Sequence, residues 1–400
     1  MEKKSSLPLQ GLKVLELASF VSGPFCGMIL ADMGAEVTKV ENPLGGDPFR
    51  GWGGEEKFNP IFLSLNKNKK SITLDLKKKE GLGVFLKLIE HADVLIENFR
   101  PSTVSNLGID YERLASINPR LVYCRITGFG AEGPYAERPA YDTIGQASSG
   151  LLSLLTDPSS PTPVGSSLAD HLAGIFGAIG VLGALRQRET SGRGQLAETS
   201  LLQACVYFLS EHVGKHFYTG EIPTKKSRVV SAQAFAFTAG DKLPFVIHLS
   251  SPEKFWNGLV KAVGEDYLRP DDPRFNAPGK RRKNYDELYS LLQSAFATRP
   301  REFWLNKLLE NDVPSAPLNN LKEVFEDPQV RHLDLLRDVT LENGIRTKLV
   351  GSAVTFSDSK DQQGETVKPA PELGEQTLET LNMLGYSSDE IAKLRESKAI

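Results

Sequence analysis

The stretch GLKVLELASFVSGPFCGMILADMGAEVTKVE, residues 11–41, decides the fold of the first half of the chain. Residues 12–17 are an apolar run with the length of a buried strand, and residues 35–40 are a second run with β-branched side chains. Between them, Gly23-Pro24 is predicted to break the chain, and residues 25–33 have the spacing of a helix that ends before Gly34. A strand, a helix and a strand in this order predict a βαβ unit of a parallel sheet.

The same alternation continues beyond residue 41. Further strands are predicted at residues 71–76, 94–96 and 121–127, and residues 79–91 have the apolar periodicity of an amphipathic helix. The uncharged run at residues 172–185 predicts a buried core helix, because it is shorter than the roughly 20 residues that span a membrane. The predicted fold class is therefore α/β, with a Rossmann-like parallel sheet in a large domain.

Composition along the chain predicts a second, smaller domain. Residues 232–237 and 245–249 resemble paired strands, and amphipathic helices follow them, as in an α+β domain. The predicted segments are a large Rossmann-like domain at residues 1–220, a linker at 221–230, a small α+β domain at 231–318 and a return segment at 319–400 that completes the large domain.

Overall composition excludes several classes of protein. The 400 residues carry 47 basic and 50 acidic side chains, for a formal net charge of −3, so the chain lacks the basic surface of a general nucleic-acid binder. The three cysteines, Cys26, Cys124 and Cys205, fit neither a disulfide framework nor a paired zinc site. The amino end has no apolar signal-peptide core. We expect a cytoplasmic protein without membrane or nucleic-acid partners.

Two motifs suggest cofactors, but simpler interpretations fit both better. GFGAEG, residues 128–133, matches a dinucleotide fingerprint, yet Pro134 and Pro139 prevent the helix that should follow it. His212 and His216 have the i, i+4 spacing of metal ligands without the glutamate of an HExxH motif, so a polar helix face is the preferred interpretation. We predict no metal site and interpret residues 128–133 as a ligand loop.

Charged residues form two further candidates. The lysine-rich residues 66–70 and 77–79 could face a phosphate, although a solvated charged edge is the preferred interpretation from charge alone. Asp170 opens the apolar helix, where an acidic side chain usually serves as a cap or dipole partner. The free N–H groups of a helix start could equally hold a carboxylate ionised beside a cleft, as a nucleophilic carboxylate requires.

The ordered set of motifs resembles the class III coenzyme A transferases, the family of formyl-CoA transferase and carnitine CoA-transferase. The matching motifs are residues 11–41 and the segments GGDPFRGW, NKNKKSITLDL, DVLIENFRP, ITGFGAEGPYAERPAYD and SSLADHLAG. The resemblance implies a Rossmann-like large domain, an inserted small domain and two ring-like chains interlinked as a homodimer. It implies no tightly bound cofactor, since the coenzyme A thioester is a substrate.

The resemblance also implies a mechanism. Asp170 would attack the acyl-CoA thioester to form a mixed anhydride, and the released CoA thiolate would then form an aspartyl-CoA thioester. An incoming carboxylic acid becomes the new acyl-CoA. Because the thioester bond energy is conserved in each intermediate, no ATP is required as long as water is excluded. The family suggests succinyl-CoA as donor and a small dicarboxylate as acceptor.

Further site residues follow from the resemblance. The implied contacts are Phe20, Val21 and Ser22 to the thiol arm of CoA, Leu74 and Lys77 to its adenine and phosphate end, Asn98, Phe99 and Arg100 along the nucleotide, and Tyr141 and Asp142 at the acyl site. Asn42 and Asn106 stand where formyl-CoA transferase has arginines, so Lys39, Lys69 or Arg138 is expected to supply the phosphate contacts. Residues 250–252 lack that enzyme's glycine-rich lid.

Two other functions remain open from the sequence. α-Methylacyl-CoA racemases resemble this chain and keep the aspartate, but they use a histidine where Tyr141 stands here. A tyrosine with a reference pKa near 10 is a poor base at neutral pH, which favours the transferase. A non-catalytic acyl-CoA binding protein would keep the nucleotide groove without depending on Asp170.

Overall fold

The computed structural model describes residues 6–52, 59–250, 252–341, 344–359 and 367–400. These residues divide into two units. The first contains the described residues up to Leu152, Pro163–Val213 and Asp334–Ile400, and the second contains Ser153–Thr162 and the described part of Gly214–Leu333. The chain thus returns to the first unit at Asp334 rather than at residue 319, and the segment predicted as a linker, 221–230, includes the start of a helix.

The first unit is built on a six-stranded parallel sheet. Its strands are β1 Lys13–Leu17, β2 Glu36–Glu41, β3 Lys70–Thr73, β4 Val94–Glu97, β5 Val122–Thr127 and β6 Leu196–Ser200. They pair in the order β3-β2-β1-β4-β5-β6, and every neighbouring pair is parallel. The predicted α/β fold is confirmed. Because the strand order reverses between β1 and β4, the loops that follow these two strands diverge and leave a crevice at their carboxyl ends.

Helices lie along the chain between and after these strands. They are α1 Ser22–Asp32, α2 Pro60–Asn66, α3 Lys79–Ile89, α4 Pro101–Leu107, α5 Tyr111–Ile117, α6 Asp142–Ser148, α7 Leu151–Leu155, α8 Leu168–Ser191, α9 Leu201–Phe208 and α10 Ser210–Thr219. The last residues of α7 and of α10 belong to the second unit. The predicted break at Gly23-Pro24 is wrong, because α1 begins at Ser22. Pro24 lies in the first turn, where its missing N–H costs no intrahelical hydrogen bond.

Helix α8 extends beyond residues 172–185, and only one of its faces is buried. On that face Gly174 permits close packing, since a Cβ there would lie 2.7 Å from the carbonyl oxygen of Ser22. On the opposite face Ile175 and Ile179 are 39% and 54% exposed, which corrects the prediction of a buried core helix. With a mean hydropathy of 1.7, α8 is long and apolar enough to cross a membrane, but a helix packed on a sheet meets the same criterion.

The second unit combines antiparallel strands with helices, as its sequence predicts. Strands β7 Ala234–Thr238, β8 Pro244–His248 and β9 Ser315–Pro317 form one sheet, in which β7 and β8 are the predicted pair. Its helices are α11 Ser227–Ala232, α12 Glu253–Val263, α13 Pro278–Lys283, α14 Tyr285–Phe296, α15 Arg301–Glu310, α16 Leu321–Val324 and α17 Pro328–His332. Phe237, Phe245 and Phe296 pack together in the core of this unit.

The carboxyl-terminal segment packs against the β3 edge of the parallel sheet. It contains strands β10 Leu336–Thr340 and β11 Arg346–Val350 and helices α18 Thr377–Met383 and α19 Ser388–Glu396. The backbone N–H of Gln376 donates to the carbonyl oxygen of Ser71 at 2.9 Å, and that of Asp75 donates to Ala399 at 2.8 Å. These bonds pair polar backbone groups at the sheet edge that would otherwise meet only solvent. Short 3₁₀ turns occur at Pro48–Arg50 and Ser357–Ser359.

Candidate active site

A groove follows the carboxyl ends of the strands on both sides of the crevice between β1 and β4. Three adjoining cavities form it, with volumes of about 640, 210 and 290 Å³. The first is lined by Asn106 and Lys77, and the second shares Lys77 and adds Leu74. The third shares Phe99 with the second and contains Asp170. The groove therefore leads from the lysines that precede α3 to the carboxylate on α8.

The carboxylate of Asp170 faces the third cavity. Asp170 is the third residue of α8 and is partly exposed. Burial, together with the negative charge of Asp142, raises the pKa of Asp170 to about 7. Within the described part of the chain, the side chain of Asp170 forms no hydrogen bond and does not cap its helix. At neutral pH this side chain is divided between its acid and carboxylate forms and is directed at the cavity.

A hydrogen-bonded turn after β1 lines the same cavity as Asp170. Asn98 holds Ser19 from both sides, since its Oδ1 accepts from the Ser19 N–H at 3.0 Å and its Nδ2 donates to the Ser19 carbonyl oxygen at 2.8 Å. Nδ2 also lies 3.3 Å from Ser22 Oγ. Phe20 has a φ of +65°, a left-handed conformation that costs a non-glycine residue about 1–3 kcal/mol. Its N–H donates to Asp47 Oδ1 at 3.2 Å, so surrounding side chains hold the strained turn in place.

Aromatic rings surround the same part of the cavity. Phe20 and Tyr141 both line it and meet edge to face with ring centroids 5.4 Å apart. Trp52 lies 6.0 Å from Phe20 and 4.6 Å from Phe49, again edge to face. Phe20 and Tyr141 thus add aromatic surface to the cavity that contains Asp170.

Lys39 and Lys69 cannot supply the predicted phosphate contacts, because both are buried in an ion-pair network below the groove. Lys39 Nζ lies 2.9 Å from Glu16 Oε1 and 2.9 Å from Asp47 Oδ2, and it donates to the carbonyl oxygen of Ala18 at 2.7 Å. Burial opposes the charge of Lys39, but the two carboxylates outweigh burial and raise its pKa. Burial dominates at Lys69 and lowers its pKa to about 8, even though Glu16 Oε2 lies 2.8 Å away.

The lysine-rich segment at residues 66–70 is consequently not a solvated charged edge. Lys67 is buried against Asp32 and Lys69 against Glu16, so the preferred interpretation of these two side chains is wrong. Only Lys70 behaves as predicted, with a half-exposed side chain 3.6 Å from Glu379. The physical reason is that α2 ends at Asn66 and the following residues pass beneath α1, where buried carboxylates are available as partners.

The other predicted residues fall into two groups. Leu74, Lys77, Phe20, Ser22, Asn98, Phe99, Arg100, Arg138 and Tyr141 all line the groove. Val21 is not among the lining residues and packs in the core with Phe49 and Phe62. Asp142 does not line it either, since both of its carboxylate oxygens accept hydrogen bonds from within the first unit. Asn42 lines the second cavity and Asn106 the first.

The loop motifs are placed as follows. Residues 128–133 are followed by a helix only at α6, as their prolines predict, and Gly128 lines the Asp170 cavity. Ser250, in the segment expected to lack a lid, donates its N–H to the carbonyl oxygen of Ala232 at 2.8 Å, whereas Ser251 lies outside the described residues.

His212, one of the two histidines with metal-ligand spacing, lies 3.6 Å from Glu211. Among the described residues, no three His, Cys, Asp or Glu side chains group closely enough to hold a metal ion.

Comparison with known proteins accounts for this arrangement. The family model described as CoA-transferase family III matches residues 9–377. The chain belongs to CoA-transferase family III. A crystal structure of a CaiB/BaiF family protein from Brucella suis is 32% identical and matches the fold with a TM-score of 0.81, over 95% of this chain and 100% of that one.

Curated relatives of this family III chain are CoA-transferases. The succinyl-CoA–D-citramalate CoA-transferase of Chloroflexus aurantiacus is 32% identical over 98% of this chain and 98% of its own length. The succinate–glutarate CoA-transferase of Agrobacterium fabrum is 33% identical over 94% and 95%. The protein is therefore a class III CoA-transferase that uses CoA thioesters as substrates. These findings support the predicted transferase over a non-catalytic acyl-CoA binding protein.

Four features of the site of this CoA-transferase were not predicted from its sequence. Ser19 lines both the second and the third cavity, but a lone serine after a strand carries no distinguishing signal. The buried network around Lys39 was missed because its charges look solvated in sequence. The role of Asp142 at the start of α8 was missed because the two segments are far apart in the chain. The strained φ of Phe20 had one available signal, the sharp direction change between a strand and a helix.

Proposed function

We propose that this protein is an acyl-CoA:carboxylate CoA-transferase in which Asp170 carries first the acyl group and then CoA in covalent linkage. The observation that carries the proposal is the carboxylate of Asp170, which accepts no hydrogen bond from the described residues and lines a cavity that continues into the groove at Leu74 and Lys77. A nucleophile needs an available lone pair and a path for the substrate, and Asp170 has both.

Each step of the reaction balances without an external reagent. The Asp170 carboxylate attacks the thioester carbonyl, and the C–S bond breaks to release CoA thiolate and leave a mixed anhydride. The thiolate attacks the aspartyl carbonyl of that anhydride, which releases the donor's carboxylate and forms an aspartyl-CoA thioester. The acceptor carboxylate attacks this thioester to give a second anhydride, and the thiolate then takes the acyl group and restores Asp170. No net proton, electron or water is consumed.

The groove suggests how CoA would lie. We place the adenine and phosphate end at Leu74 and Lys77, the nucleotide along Asn98, Phe99 and Arg100, and the thiol arm near Phe20 and Ser22. Of the three side chains expected to replace the missing arginines, only Arg138 faces the groove. Its guanidinium lies 3.6 Å from the centroid of the Tyr135 ring, which leaves its outer N–H groups available to an anion.

The acceptor and donor are proposed from the relatives. One relative is named for succinyl-CoA and citramalate, and another for succinate and glutarate. We propose succinyl-CoA as donor and a small dicarboxylate as acceptor. Arg100 and Arg138, both exposed in the Asp170 cavity, could neutralise a second carboxylate.

Asp170→Asn tests the proposal with little change in side-chain shape. We expect turnover to fall at least about a thousandfold while CoA binding, measured by calorimetry, stays within about threefold. Wild-type enzyme incubated with an acyl-CoA and hydroxylamine should yield a hydroxamate on the peptide that contains Asp170, located by mass spectrometry. The matched control is Asp327→Asn, which alters a helix cap in the second unit and should leave turnover unchanged. Full turnover in Asp170→Asn, or a hydroxamate at another residue, would exclude this mechanism.

We further propose that the enzyme works as a homodimer in a reducing cytoplasm. Helices α8 and α9 present an apolar surface in the first unit, on which Ile179, Tyr207 and Phe208 are 54%, 68% and 58% exposed. Exposed apolar surface of this kind is typical of subunit interfaces. Cys26, Cys124 and Cys205 are free and buried. Light scattering that finds a monomer at micromolar concentration would contradict the dimer.

A further inference from the structure

Helix α8 is capped by a side chain from another helix. Ser167, at its N-cap position, makes no side-chain capping bond. Instead, Asp142 Oδ1 accepts from the N–H of Ala169 at 2.7 Å and from that of Asp170 at 3.3 Å. The second oxygen of Asp142 accepts from Gln146 Nε2 at 2.6 Å, and Gln146 is fully buried. A single carboxylate on α6 thus ties down the turn that bears Asp170.

Capping alone does not require a negative charge. A side-chain amide oxygen accepts the same N–H bonds and is equally common at helix starts. A carboxylate differs because it brings a charge into a partly buried site beside a second carboxyl group. Like charges at short range disfavour the ionised form of each other, and here Asp142 acts on Asp170 in addition to burial.

We propose that Asp142 is a positioning residue for Asp170, which fixes the first turn of α8 and sets its negative charge against the carboxylate of Asp170. This inference rests on the proposed function of Asp170 as the nucleophile. Once Asp170 is acylated or linked to CoA it is neutral, so the repulsion from Asp142 is relieved in both covalent intermediates. Asp142 therefore disfavours the free ionised nucleophile and favours the covalent states, and it also makes the Asp170 carboxylate more basic and more nucleophilic.

Few other titratable or charged groups surround Asp170. Among the described residues, those beside Asp170 or lining its cavity are His171 on α8, Cys205 on α9, Arg100, Arg138 and Tyr141. Cys26 on α1 and Cys124 on β5 are buried and contact each other. The charged side chains elsewhere on α8 and on the elements packed against it form ion pairs; they are Asp32, Arg125, Arg186, Arg188, Glu189 and Glu198. The ring of His171 is directed away, stacked edge to face on Phe25 and bonded to the carbonyl oxygen of Ser167. The two arginines of the cavity, Arg100 and Arg138, are exposed. Besides burial, the charge of Asp142 is what raises the pKa of Asp170 within the described part of the chain.

Asp142→Asn tests the inference because asparagine keeps the Oδ1 acceptor of the two backbone bonds and removes the charge. The new Nδ2 faces Gln146, whose amide can rotate so that its Oε1, unpaired among the described residues, accepts from it. We expect the acid limb of the kcat/KM profile to shift to lower pH by roughly 0.5–1 unit, because the pKa of Asp170 falls when the charge of Asp142 is removed. The titration of Asp170, followed by ¹³C NMR of labelled aspartate without substrate, should move by the same amount. The fraction of enzyme held as the CoA thioester at steady state should fall, and kcat above pH 8 should fall about three- to tenfold.

Two further variants separate positioning from stability. Asp142→Ala removes the acceptor as well, so we expect a lower melting temperature and a larger loss of kcat. Asp110→Asn is the matched control, since Asp110 Oδ1 accepts from the N–H of Arg113 at 2.9 Å at the start of α5, away from the groove. It should leave the pH profile unchanged.

The outcomes distinguish the inference from the proposed function. If Asp142→Asn lowers only the melting temperature and leaves the acid limb and the Asp170 titration unmoved, Asp142 is a structural cap and the inference is refuted. If Asp170→Asn retains full turnover, the proposed function itself fails, whatever Asp142 does.

Discussion

Lys69 and Lys70 are neighbours in the sequence but have opposite environments, and their replacement by methionine should have opposite consequences. Lys69 Nζ lies 2.8 Å from Glu16 Oε2, and it donates to the carbonyl oxygen of Pro24 at 2.8 Å and to Asn66 Oδ1 at 2.9 Å. Lys70 makes one exposed contact of 3.6 Å. Charge, length and position along the chain are matched, so the pair isolates the effect of burial.

The magnitude follows from the groups left behind. Lys69→Met leaves the buried acceptor Asn66 Oδ1 without its donor, at about 1–3 kcal/mol, whereas the Pro24 carbonyl oxygen lies within α1 and keeps its helical donor. It also takes from the buried Glu16 carboxylate one of its two cationic partners and leaves Lys39, at about 3 kcal/mol more. The methionine side chain recovers about 1–2 kcal/mol by burial of its apolar atoms. We expect a net loss of about 3 kcal/mol in the free energy of unfolding of the first unit. Lys70→Met should stay within about 0.5 kcal/mol of wild type.

Urea unfolding followed by circular dichroism measures both variants. Because the second unit could unfold separately, hydrogen exchange of peptides from β1, β2 and β3 should be measured as well, since it reports the opening free energy of the first unit alone. Equal losses for the two variants, or a larger loss for Lys70→Met, would refute the assignment of Lys69 to a buried ion-pair network.

Two more predictions concern the turn after β4. Asn98→Ala removes the bonds to Ser19 and Ser22 that hold the cavity wall, and we expect kcat/KM to fall about 10- to 100-fold with little change in melting temperature. Glu97 is buried, and burial raises its pKa to about 7. The folded state therefore holds an extra proton between about pH 4.5 and 7, and stability falls as pH rises through this interval. Glu97→Gln should flatten that decline, as melting temperatures at pH 5 and 7.5 would show; an unchanged slope would contradict it.

Local pattern was enough to predict most strands of the parallel sheet. Strands β1, β2 and β5 lie within about one residue of the predicted segments, because an apolar run of strand length has few alternatives once both of its faces are covered. The errors occurred where local rules compete. Gly23-Pro24 signals a break, but the first turn of a helix accepts both residues. In α8 the apolar residues on one face pack on the sheet, whereas those on the other face remain exposed. Because both faces are apolar, the sequence of the helix predicted that all of it is buried.

The candidate site shows the same division. Its motifs predicted Asp170, Asn98 and Phe99 as site residues from the order of short motifs along the chain, and the structure places all three around one cavity. They could not show that Asp142 caps α8 rather than bordering the acyl site, nor that Lys39 and Lys69 are unavailable to phosphate. Whether a side chain is a ligand, a cap or half of an ion pair depends on which distant atoms lie within about 3 Å of it.

The sequence by itself determined the βαβ alternation, the family and the identity of the nucleophile candidate, since all three are encoded in local runs of residues and in their order. The tertiary structure alone decided which charges are buried, which carboxylate is free and how the cavities join into one groove. Ionisation and hydrogen bonding depend on solvent exclusion and on short distances. Both arise only when β1, α1, α6 and α8 pack together, and no local pattern records them.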